Sequence, residues 1–147
     1  MIHTPGVLPL LGRILLGVIF VMSGFNKIMN PAMTEQYMAS HGMPMTKLFL
    51  IGAIAVELGA GLALMAGFMT RAAAWALFLF MIPTTLIFHT NFGDQNQMIH
   101  FLKNVSMMGG LLYVASYGAG LLSVDARTSG LATTVRQHPP EILRKTA

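Results

Sequence analysis

The sequence predicts an all-α protein, a bundle of four transmembrane helices with both termini in the cytoplasm, and three observations carry that prediction. Hydrophobic residues fill 54% of the 147 positions and charged ones 10%, with mean hydropathy +0.65, a balance outside the usual range of water-soluble domains. The apolar residues gather in four runs, Val7 to Ile28, Leu48 to Phe68, Ala72 to His89 and Phe101 to Leu122. Each is close to the ~20 residues that cross ~30 Å of hydrocarbon. The runs leave little polar face to turn toward water, which a soluble helical bundle requires.

The first run has no basic residues ahead of it, is interrupted by Arg13 and is followed by three more runs, so it reads as a retained span and not as a cleaved signal. The connection MNPAMTEQYMASHGMPMTK opens on Pro31. It predicts a short interfacial helix ending near Gly42 and Pro44, with its methionines and Tyr37 at the headgroup boundary. Between the second and third runs, GFMTR predicts a tight turn in which Gly67 ends one helix and Thr70 caps the next. Pro83 is expected to bend the third span and free a carbonyl. The residues from Thr90 to His100 read as an exposed hairpin solvated by Asp94 and its neighbouring amides. Residues 1–125 thus form the membrane domain, and residues 126–147 a basic cytoplasmic tail that turns irregular past Asp125.

Orientation follows from the positive charges. Arg71, Arg127, Arg136, Arg144 and Lys145 lie on the side of the termini, against Lys27, Lys47 and Lys103 opposite, which places the termini in the cytoplasm. The net charge of +4 suits an anionic lipid surface, and no nucleic-acid signature accompanies it. The absence of cysteine excludes thiol redox chemistry, thiolate metal sites and cysteine-held iron–sulfur clusters. No flavin or nicotinamide fingerprint occurs. His89 and His100, separated by the polar loop, need not point at one another, and no metal or haem is expected.

Charges inside hydrocarbon cost at least ~2.5 kcal/mol unless paired or hydrated. Arg13, Gly17, Phe20, Gly24 and Lys27 recur at spacings of three and four, one stripe that should face the bundle. At about 1.5 Å per residue, Arg13 sits about 9 Å inside one end of the first span and Glu57 about 13 Å inside the opposite end of the second. The remaining offset predicts an Arg13–Glu57 ion pair, serving either as a packing clamp or in proton or substrate handling. At the far end, Asn26, Lys27, His89, Lys103 and Asn104 are expected at one depth.

These residues carry a resemblance. The pattern R-x-x-x-G-x-x-F-x-x-S-G-x-x-K from Arg13 to Lys27, Glu57 in the second span, Thr70-Arg71 before the third, Phe88-His89 at its end and F-L-K-N from Phe101 to Asn104 resemble the DoxX family over about residues 8 to 125. The resemblance implies a small bacterial inner-membrane protein of four helices. It also implies links to quinone-dependent redox reactions, to thiosulfate:quinone oxidoreductase through a related subunit, and to membrane oxidoreductase complexes with soluble partners.

A quinone head requires an apolar slot, hydrogen-bonding groups at its carbonyls and a titratable group. His89 and Lys103 are the candidate catalytic residues, His89 donating and accepting protons and Lys103 with Asn104 polarising a carbonyl, while Asn26 and Lys27 complete the binding set and Phe20, Phe88, Phe92 and Phe101 form the slot. The leading expectation is a quinone-associated component of a membrane redox system, an oxidoreductase subunit if catalytic at all. Two alternatives stand beside it. One is a scaffold that binds membrane or redox partner proteins, or copies of itself, through the smooth face of Gly109, Gly110, Gly118 and Gly120. The other is a small-solute binder or transporter with Arg13 and Glu57 along its path.

Overall fold

A computed structural model describes residues 6–129, and among them every regular element is helical. The elements are α1 (Val7–Met29), α2 (Pro31–Ser40), α3 (Thr46–Ala66), α4 (Thr70–Phe88), α5 (Gln95–Tyr117) and α6 (Val124–Thr128). Three of them, α1, α3 and α4, are long and apolar enough to cross a membrane. Most of the tail, residues 130–147, lies outside the described residues.

The burial pattern is that of a chain surrounded by lipid. Leu8, Leu15, Leu79 and Tyr113 point outward, whereas Arg13, Glu57, Thr70, Thr85 and Asn104 are buried. With hydrocarbon outside, apolar side chains gain nothing by turning inward, and polar ones must find partners within the bundle. α1 packs closely along α3, α3 along α4 and α4 along α5, while α1 and α5 touch only lightly. Phe20, Leu64, Leu77, Met81 and Leu111 fill the interior, and Ala73, Ala74 and Ala115 let the backbones approach.

Glycine sets the α1–α3 contact. A Cβ on Gly17 would come within 2.5 Å of Met65 Cγ and 3.1 Å of the Gly61 carbonyl, and one on Gly24 within 2.8 Å of Leu58 Cγ. A Cβ on Gly12 or Gly109 would meet nothing within 4 Å. Gly17→Ala is therefore expected to cost about 1–3 kcal/mol by overpacking, with Gly12→Ala near neutral. Thermal unfolding in mild detergent tests this, and equal losses at both positions would contradict the packing.

Helix ends depart from expectation in three places. α5 begins at Gln95, six residues before the apolar run, because the Asp94 carboxylate accepts the Asn96 N–H at 2.8 Å and caps it. The loop expected from Thr90 to His100 is therefore a short turn. α5 ends at Tyr117, although the apolar run continues to Leu122, because Gly118 takes φ +82°. Gly67 ends α3 with φ +71°, as expected, but Thr70 is already inside α4 and does not cap it.

The cap comes from Asp125, where the sequence reading began an irregular tail. Its carboxylate accepts the Met69 N–H at 2.8 Å and the Thr70 N–H at 2.9 Å, while its own N–H donates to the Gly67 carbonyl at 2.8 Å. Burial pushes this carboxyl up, but the bonds from Thr70 and Met69 and the nearby Arg13 charge outweigh it and hold the group below the usual carboxylate range. A depressed carboxyl stabilises the fold at pH above its unfolded value of ~3.9 and loses that contribution as pH falls through the lower folded value. Asp125→Ala is expected to cost about 1 kcal/mol at pH 7, as for a lost helix cap. Denaturation at pH 7 and below pH 3 checks the sign: the deficit should shrink in acid.

Candidate functional site

Two polar clusters sit on the α1–α3 face. At the end nearer the termini, Arg13 is 1% exposed, and its guanidinium donates to the carbonyls of Leu64 at 3.3 Å, Met65 at 3.4 Å and Leu122 at 2.6 Å. The first two are carbonyls of the last turn of α3, at the negative end of its dipole, and that of Leu64 also accepts the Gly67 N–H at 3.2 Å. Farther along, Lys27 Nζ donates to both oxygens of Glu57, at 3.0 and 2.9 Å, and to Ser23 Oγ at 2.8 Å. Ser23 in turn donates to Glu57 Oε1 at 3.2 Å.

The ion pair of this face is thus Lys27–Glu57, not the expected Arg13–Glu57. Side chains on a helix lean toward its N-terminus. Arg13 therefore leans toward the start of α1, away from Glu57, whereas Lys27 leans down into the bundle and Glu57 leans up to meet it. The antiparallel register agrees, since Gly24 faces Glu57 and Leu58 while the Arg13 guanidinium lies against Gly67. All three ammonium donors and both carboxylate oxygens are occupied. Both charged members of the stripe thus bind α3, Arg13 at carbonyls of its last turn and Lys27 at Glu57.

The other cluster closes the α4–α5 end. His89, just past α4, bonds through Nδ1 to Gln97 Oε1 at 2.8 Å, and its ring stacks on that of His100 at 5.1 Å between centroids. Lys103 Nζ donates to His100 Nδ1 at 3.0 Å. Phe92 meets Phe101 edge to face at 5.1 Å, and Phe88 stacks with Tyr37 of α2 at 5.3 Å.

The five residues expected at one depth therefore divide. His89 and Lys103 share a cluster through His100. Lys27 belongs to the α1–α3 clamp. Asn104 is buried and donates to Thr85 Oγ1 at 3.1 Å, tying α5 to α4. Asn26 is exposed and accepts from Asn30 at the end of α1. Gln97 is not singled out by the sequence, and His100, weighed there only as a haem ligand, is not expected among the site residues. The three-residue spacing of His100 and Lys103 signals a shared helix face once Asp94 is recognised as a cap, but nothing local pairs His89 with Gln97. Pro83 sits inside α4 and is exposed.

Known proteins place this architecture. The DoxX family matches residues 8–90. The inner membrane protein YqjF of Escherichia coli (strain K12) is 39% identical over 116 residues, covering 79% of this chain and 88% of its own. The inner membrane protein YphA of the same organism is 39% identical over 127 residues, covering 82% and 90%. No solved structure matches. With its apolar helices and inward polar clamps, the chain is an integral inner-membrane protein and belongs to the DoxX family.

Proposed function

We propose that the chain crosses the membrane four times with both termini in the cytoplasm, and serves as a quinone-associated component of a membrane redox system. The fourth span is α5, whose 23 residues reach about 34 Å. Its polar first turn lies at the headgroup level, and the basic residues favour the side of the termini.

The observation that carries the quinone reading is the stacked His89–His100 pair, flanked by Gln97 and Lys103 and lying near the Phe92–Phe101 pair. It joins imidazoles, which can both donate and accept a proton, to apolar rings at the depth where a quinone head would sit. With no cofactor-binding motif in the chain, electrons pass to or from a partner protein. His89→Ala, His100→Ala and Lys103→Ala are each expected to weaken binding of a quinone analogue to the purified protein by about tenfold, the equivalent of one good hydrogen bond. Unchanged affinity in all three would remove the site.

A scaffold role has its own support in the lightly packed α1–α5 seam. There Gly12, Leu15, Leu16, Gly110, Tyr113 and Val114 line an apolar groove of about 450 Å³. A partner held there would co-purify stoichiometrically and survive the His89 and His100 substitutions.

A further inference from the structure

The hydrogen bonds around the two stacked imidazoles fix more than their positions. An amide oxygen only accepts, so Gln97 Oε1 at 2.8 Å requires a proton on His89 Nδ1. An ammonium only donates, so Lys103 Nζ at 3.0 Å requires a lone pair on His100 Nδ1. In a neutral imidazole the state of one nitrogen dictates the other. His89 then carries its lone pair on Nε2, and His100 carries its proton there.

We propose that His89 and His100 are held in opposite tautomers, as a proton acceptor and a hydrogen-bond donor side by side, to engage an ionisable hydroxyl of the phenol or hydroquinone class. Gln97 and Lys103 are the positioning residues. The ligand part of this inference rests on the quinone reading, whereas the tautomers do not depend on it. In the step assigned to the pair, the ligand O–H bond breaks and an N–H bond forms at His89 Nε2. The electron pair stays on the ligand oxygen, where the His100 Nε2–H and the Lys103 charge stabilise it. No electron leaves the ligand in this step.

The groups around the pair favour this assignment. The Lys103 ammonium 3.0 Å from His100 Nδ1 needs that nitrogen unprotonated, which keeps the His100 ring neutral and able to accept from it. His100 and Lys103 are exposed and His89 is half-buried, so the pair is open to a ligand arriving at the headgroup level. The turn of α5 that Asp94 caps carries Gln97, so both bonds depend on the helix starting at Gln95.

Nitrogen-15 NMR of histidine-labelled full-length protein in detergent at pH 8 tests the tautomers directly, with His89→Gln and His100→Gln assigning the signals. The expected result is a protonated Nδ1 on His89 and a protonated Nε2 on His100. Gln97→Leu should return His89 toward the Nε2-protonated form, and Lys103→Met should release His100 into a mixture, while the fold persists. Both rings protonated at Nε2 in the unmodified protein would overturn the assignment. Titration with a short-chain para-hydroquinone should then shift the His89 Nε2 signal, with Gln97→Leu weakening the effect about tenfold. Opposite tautomers with no response to the hydroquinone would overturn the ligand class and the quinone reading together, and leave the tautomer assignment standing.

Discussion

Lys27→Met alone is expected to lower the unfolding free energy by about 3 kcal/mol, and Glu57→Leu alone by a similar amount. Each strands a charge near the middle of the bundle, where α3 runs about 15 Å in both directions from Glu57. Lys27 keeps 19% of its side chain exposed, which places the loss at the lower end of the range for broken buried pairs. The double variant, Lys27→Met with Glu57→Leu, should recover most of the loss, because two apolar side chains in an apolar setting need no partner. Ser23 would lose its acceptor but remains able to bond its own helix backbone. Thermal unfolding in mild detergent supplies the four corners of the cycle. A double variant as unstable as the sum of the single losses would show that the pair makes no coupled contribution.

Arg13→Met is expected to have an effect of comparable size, about 3 kcal/mol, for a different reason. Three carbonyls lose a charged donor, and two of them lie in the last turn of α3. Arg13→Lys should not rescue it. A single ammonium lacks the planar fork that reaches Leu64 and Met65 on one side and Leu122 on the other. Because Arg13 and Glu57 belong to clamps about 11 Å apart along α3, their substitutions should add to within about 0.5 kcal/mol. A coupling above 1 kcal/mol between them would restore the direct ion pair and contradict the register.

Much of this architecture was legible in the sequence, and the failures have a common form. α1 spans Val7–Met29 where Val7 to Ile28 was expected, and α2 lies where Pro31 and Gly42 placed it. Hydrophobic run length sets the spans, and strong local punctuation sets their ends. The charged stripe on α1 was also legible, as one face at helical spacing. Its partners were not, because axial depth treats a side chain as a point on the helix, while a long arginine and a long lysine each reach a further turn toward the N-terminus.

The α4–α5 end failed differently. Asp94 was read as a solvating group in a loop, although a carboxylate just before an incipient helix is also a cap. That choice kept His100 out of the helix and away from His89. Asp125 has no sequence-local reason to cap α4, since its targets are 55 and 56 residues away. Contacts of that range follow only once the register of the whole bundle is known.

Photoaffinity labelling with an azidoquinone, followed by peptide mapping of the purified protein, tests the functional account most directly. Saturable label within the segment from Thr85 to Lys103, lost in His89→Ala and His100→Ala, is the predicted result. Label confined to the Leu15 and Tyr113 seam, or no saturable label at all, would contradict a quinone site at the α4–α5 end.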